Sequence, residues 1–185
     1  MTHEPSSIRL PIAFIDALSH ADSIVTVLRV GTDWLIRMFP AARGSIALID
    51  GDRIIDRVAR GDGLIDPHID TPRVLPNAPR TRVLESGRTV FLSTAEMTGA
   101  GTPAMQALLA SGIRSMLIVP MFSGAKTVGT LSLASLEDDG FDDDHSRRLI
   151  TIGRWIASQA RLMQQLRAAY ETSQTLLAED RKSVV

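Results

Sequence analysis

Apolar residues recur at helical spacing at the start of the chain and alternate further on. Ile8, Ile12 and Ile15 fall on one face of a short helix over 11–18, with Pro11 suited to its first turn. Ile24, Leu28, Gly31, Leu35 and Met38 are separated by three or four residues, which predicts a second helix ending near Met38. Asp22 or Ser23 can cap it, and Pro40 stops it. Gly31 weakens that helix but admits the close approach of another backbone.

The period then changes. Segments 45–50 and 53–60 read as strands joined by the hairpin pair Asp50-Gly51. An irregular stretch, 61–77, carries Pro67, Pro72 and Pro76, and loops this long are often functional. A helix over 78–86 ends at Gly87, and a third strand follows at 89–93. Thr102-Pro103 opens a helix that ends near Gly112. Segment 115–122 is a strongly apolar strand. It turns at 123–126 into a fifth, 127–134, in which Val128, Thr130, Ser132 and Ala134 alternate with Gly129, Leu131 and Leu133. Pro120 donates no ladder bond and belongs at a strand end or bulge; Gly129 marks a close approach or simply shapes the hairpin. A last helix starts at Asp142 and runs to about Glu179. Two hairpins require antiparallel pairing, so the expected fold is α/β of the α+β kind: a central antiparallel sheet of about five strands, flanked by helices, with a long C-terminal coiled-coil helix. The expected organisation is an N-terminal helical segment (1–22), a core (23–145) and a C-terminal dimerisation helix (146–185).

Composition narrows the chemistry. The 185 residues suit one domain with an appendage, and 44% hydrophobic residues suffice for a core. A net charge of -1, with few aromatics and scattered basic residues, argues against nucleic acid. The absence of cysteine excludes disulfides, thiolate metal sites and cysteine nucleophiles. No signal peptide or membrane-length apolar run is present, so the expected location is cytoplasmic, without membrane contact.

The stretch Ser115 to Ala134, with a proline near the end of one strand and Val-Gly-Thr-Leu opening the next, resembles the GAF family of small-molecule sensor domains. Phe141 before Asp142–Asp144 and a long helix, and Ser-Ile-Ala-Leu-Ile-Asp after Ala41, are similar too. The resemblance spans about Ile24 to Leu162. It implies helices on one sheet face and a ligand pocket on the other, under segment 61–77 and the short helices. It also implies a regulatory, non-enzymatic role in signal transduction, in which an unknown small molecule biases the terminal helix toward an output domain or protein. The alternative is a structural dimerisation module whose pocket is filled by its own Leu64, Ile65, Ile69, Val74 and Leu75.

By fold analogy, the candidate ligand-binding residues are Asp66, His68, Arg80, Ser93, Gln106 and Arg114, the two arginines suiting an anionic group. His68 is also the candidate haem ligand, although such a histidine is more often an ordinary loop residue. No cofactor is identified. Cyclic-nucleotide relatives carry Asn-Lys and later Phe-x-x-x-Asp-Glu, where this chain has Ala134-Ser135 and Phe141 followed by His145-Ser146. Thioether-linked bilin and cysteine-dependent reduction of free methionine sulfoxide both require the missing cysteines. The acidic residues Glu137–Asp139 and Asp142–Asp144 lack calcium-loop spacing and read as solvated carboxylates at a helix N-terminus; no metal site is expected.

The last helix carries an a/d pattern through Leu149, Ile152, Ile156, Gln159, Met163, Leu166, Tyr170, Ser173 and Leu177, with Trp155, Leu162, Ala169 and Leu176 as a neighbouring stripe. At about 1.5 Å per residue the helix outreaches a domain of this size, so its far half is expected to pair in a homodimer.

Overall fold

The computed structural model describes residues 10–50, 52–61, 76 and 78–183, the side chains of 56–58 and 175–183 excepted. Helix α1 (Ile12–Ser19) follows Pro11 and buries Phe14 and Leu18, not the expected face. Ile12 is 85% exposed, and Ile8 lies outside the described residues. The larger side chain decides the rotation: Phe14 packs on Trp34 of α2 (Ile24–Met38), with ring centroids 5.8 Å apart. Ser23 is the N-cap of α2, its hydroxyl accepting from the Thr26 amide at 3.2 Å. Gly31 meets side chains rather than a backbone, those of Ile156 and Ile46.

Five strands follow: β1 (Arg43–Asp50), β2 (Arg53–Gly61), β3 (Val90–Ser93), β4 (Ser115–Ser123) and β5 (Lys126–Ser135). They form one sheet in the order β2-β1-β5-β4-β3, every pair antiparallel, as the two hairpins required. Pro120 lies beyond the reach of β3, which pairs only with Ser115–Ile118, and one residue before a register shift at Met121/Phe122. There a missing N–H costs little. At Gly129 a Cβ would stand 2.2 Å from the Ala47 carbonyl oxygen, so glycine is required by the approach of β1.

The sheet separates two cores. On one face α1, α2 and the final helix α6 (Asp143–Ser183) pack Phe14, Leu28, Leu35, Leu149, Ile152 and Ile156 against Ile46, Leu117, Leu131 and Leu133. On the other, three short helices cover Met116, Ile118 and Ala134: α3 (Pro79–Ser86), α4 (Thr94–Ala100) and α5 (Pro103–Ala110). The short helices therefore lie over the second face, on the side where the pocket was expected. Helix α4 falls where no helix was expected. Its signal is Ser93-x-x-Glu96: the Ser93 amide donates to Glu96 Oε2 at 2.8 Å, and the Glu96 amide donates to Ser93 Oγ at 3.4 Å.

Helix α6 is about 60 Å long at 1.5 Å per residue. It opens on Asp142, whose Oδ1 accepts from the His145 amide at 2.9 Å. The expected pairing seam is corrected in its first half. Leu149, Ile152 and Ile156 face this domain's own sheet, and Met163 packs against the same core, because an apolar stripe beside a sheet buries itself there first. From residue 165 to 174 every side chain is exposed. The exposed apolar residues are Trp155, Leu162, Leu166 and Tyr170, on a stripe about a quarter turn from the buried one. Gln159 lies in the exposed stripe; the Leu177 side chain lies outside the described residues.

Candidate functional site

Between the α3–α5 core and β2, the second sheet face is floored by small residues. Ile46 and Leu48 point into the α6 side, so their neighbours Ser45 and Ala47 face the other way. By the same alternation Leu131 and Leu133 face α6, which turns Thr130 and Ser132 to the second face. Register brings these four together: Ser45 opposes Ser132, and Ala47 opposes Thr130. From β4, Pro120 and Ile118 complete the patch opposite Thr130 and Ser132.

Thr130 is 0% and Ser132 3% exposed, yet neither hydroxyl has a hydrogen-bond partner among the described residues. Each buried, unpaired hydroxyl costs about 1–3 kcal/mol. Both lie on one face of one strand, two residues apart. Helix α3 packs across β4 and β5 and carries Arg80, half-buried, with its Nε wholly buried. Two buried hydroxyls beside small side chains, with Arg80 on the helix that packs across the same two strands, are groups suited to a polar or anionic ligand.

Of the other residues expected to bind ligand, the structure describes Ser93, Gln106 and Arg114 and holds them apart. Asp66 and His68 lie outside the described residues. The Ser93 hydroxyl is engaged in capping α4, donating to Glu96 Oε2 at 2.9 Å. Gln106 is exposed on α5. Arg114 is exposed and pairs with Asp138 at 3.6 Å. Ser93, Gln106 and Arg114 are thus not on the floor, because each belongs to a cap, an outer helix face or a surface ion pair. Thr130 and Ser132 were legible only as members of an alternating strand. Their signal is a hydroxyl at two alternate positions among the apolar Leu131, Leu133 and Ala134.

The carboxylates near the start of α6 serve local roles. Asp138 pairs with Arg114, Asp142 caps the helix, and Asp144 pairs with Arg147 at 3.3 Å. The Asp142 carboxyl is held below the ordinary range, first by the His145 amide; the Ser93 amide and then its hydroxyl do the same for Glu96. Among the described residues no three acidic or histidine side chains gather as a metal site, and no helix is long and apolar enough to cross a membrane.

A five-stranded antiparallel sheet between two helical layers, closed by a helix that continues past the domain, defines the class. The chain belongs to the GAF domain family, whose model matches residues 21–158. Solved structures share the fold. The GAF domain of a phosphoenolpyruvate-protein phosphotransferase from Coxiella burnetii is 16% identical with a TM-score of 0.70, over 84% of this chain and 93% of that one. The GAF domain of a two-component sensor histidine kinase from Bacillus halodurans is 19% identical with a TM-score of 0.65, over 79% and 99%. A free methionine-R-sulfoxide reductase from Neisseria meningitidis, solved with its substrate, is 17% identical with a TM-score of 0.64, over 83% and 87%. No curated protein matches the chain in sequence.

Proposed function

We propose that the chain is a regulatory, non-enzymatic sensor domain of a signal-transduction protein. A small polar or anionic molecule binds the sheet face at Thr130, Ser132 and Arg80, and its occupancy is relayed through α6 in a homodimer. The observation that carries the ligand reading is the pair of buried hydroxyls without partners among the described residues, which a ligand would satisfy. The relay reading draws on α6 being one continuous helix, its first half packed in the core and its second half exposed. A ligand shifts that helix only by binding its alternative arrangements with different affinity. The sensor kinase and phosphotransferase domains of the same fold, and the reductase holding its substrate, are consistent with a regulatory role and a small-molecule site. The reductase's cysteine-dependent chemistry has no counterpart in a chain without cysteine.

Native mass spectrometry followed by denaturation of the same sample tests the reading. The expected result is a dimer carrying an extra small mass that is lost on denaturation and reduced in Thr130→Val/Ser132→Ala. A strictly monomeric chain removes the relay. A bare dimer with no retained mass and no response to polar anions leaves only a dimerisation module.

A further inference from the structure

A cavity lies on the opposite side of the sheet from Thr130 and Ser132. It opens at the end where both hairpins turn, Asp50↔Arg53 and Ser123↔Lys126, beside the last packed turns of α6. Its volume is about 610 Å³, within the roughly 300–1,000 Å³ of small-molecule sites. Leu48, Val128, Ala157 and Ala160 line its floor, and three of these four are otherwise core residues. Two cations, Lys126 and Arg161, stand on its rim against one carboxylate, Asp50. Arg161 is held across the cleft, Nη1 donating to Ser123 Oγ at 2.9 Å.

We propose that this cleft binds a small amphipathic anion, an apolar body with one carboxylate or similar group. The small side chains Ala157 and Ala160 leave room against α6 where a larger residue would close it. The apolar floor favours a hydrocarbon body by roughly 25 cal/mol per Å² buried. The excess of one cation favours an acid over a neutral or basic molecule. Arg161 reaches its partner through a single neutral hydroxyl, and a carboxylate would be a stronger acceptor for the same guanidinium. The position gives the site a consequence. Ala157, Ala160 and Gln164 belong to the turns where α6 leaves the sheet and becomes exposed, so a ligand here touches the pivot of the helix directly. This regulatory consequence rests on the proposed relay; the binding itself does not.

Titration of the full chain with octanoate, followed by backbone amide NMR, tests the assignment, with 1-octanol as the neutral control. Saturable shifts on α6 between Ala157 and Gln164 are expected, with 1-octanol weaker by about tenfold. Lys126→Met and Arg161→Met keep the side-chain stems at exposed positions, and each should weaken octanoate about fivefold to tenfold. Shifts on α3 around Arg80 in place of α6 would place the acid on the opposite face, overturning this site while supporting the other. Absence of saturation at millimolar octanoate, or equal binding by the Lys126→Met/Arg161→Met double variant, overturns the proposal and leaves the sensor reading untouched.

Discussion

Gly31 of α2 lies so close to Ile156 of α6 that a Cβ at position 31 would stand 2.8 Å from Ile156 Cδ1. The approach of α2 to α6 on this face is therefore set by one glycine and one isoleucine, with Ile46 Cδ1 of β1 at 3.0 Å from the same point. Alanine would gain about 1 kcal/mol of helix propensity at 31 and meet overpacking of about 1–3 kcal/mol. Both neighbours are ends of flexible side chains, so the clash is partly relieved. Gly31→Ala should destabilise by about 1 kcal/mol and Gly31→Leu by about 3 kcal/mol, read as urea midpoints at constant m-value. An unchanged midpoint in Gly31→Leu would refute the close packing.

Gly129 and Gly99 should respond oppositely to the same substitution. A Cβ at 129 meets the Ala47 carbonyl oxygen, a backbone atom that moves only with β1. Gly129→Ala should cost at least about 3 kcal/mol or prevent folding. At Gly99, inside α4, nothing lies within 4 Å, and Gly99→Ala should stabilise by about 0.5–1 kcal/mol. Thermal unfolding of the two variants side by side distinguishes packing from propensity.

How much of this was legible in the sequence follows from the range of the interactions. The five strands, their hairpins and the caps at Ser23 and Thr102 are written in local signals, alternation and turn residues, and they appear where those signals put them. The rotation of α1 was not local. Ile8, Ile12 and Ile15 make an acceptable face, but Phe14 finds Trp34 on another helix. The first half of the α6 seam met a different partner for the same reason. A heptad pattern does not say which partner its stripe meets, and the sheet took Leu149, Ile152 and Ile156 before another chain could. For the site, Arg80 was nameable by fold analogy, its charge suiting an anionic group. Thr130 and Ser132 required knowing that β5 is central and buried on both faces.

Replacing the floor hydroxyls should separate stability from binding. Thr130→Val removes a buried hydroxyl that has no partner among the described residues while keeping the branched shape, and Ser132→Ala does the same with loss of one oxygen. Each should raise stability of the ligand-free chain by about 1 kcal/mol, since the desolvation penalty disappears with the group. Retained ligand should fall in the same variants. A loss of stability on Thr130→Val would mean that the hydroxyl is already satisfied, and would remove the main support for a polar ligand at this face.

Acid should loosen two helix starts before the cores. Glu96 and Asp142 have folded-state values below their ordinary ones, through hydrogen bonds from Ser93 and His145. A depressed carboxyl contributes stability that is present above the unfolded-state value and is lost as pH falls through the folded-state value. The caps should therefore hold through neutral pH and weaken only below the ordinary carboxylate range, about 4. Carboxyl carbon NMR titration should place both midpoints below that range. Glu96→Gln should flatten the acid limb of the stability profile; an unchanged limb would show that the Glu96 carboxylate contributes nothing to it.

The exposed stripe of α6 decides between a free helix and a paired one. A single exposed helix of some twenty residues is marginal in water, so the segment beyond Met163 requires a partner to remain helical. Trp155, Leu162, Leu166 and Tyr170 offer the apolar contacts, and Gln159 and Ser173 in the same stripe would set register at some cost in stability. Leu166→Glu removes about 2 kcal/mol of burial from each copy and places a charge at the seam, so dimer affinity should fall at least a hundredfold. Leu149→Ala should instead lower domain stability by about 2–5 kcal/mol, because that residue is wholly buried in its own core. Sedimentation velocity over a concentration series, with unfolding of the same samples, reads both. If Leu166→Glu leaves a concentration-independent dimer intact, pairing runs through another surface; if the parent chain is monomeric throughout, the exposed stripe has no self-partner and the homodimer relay fails.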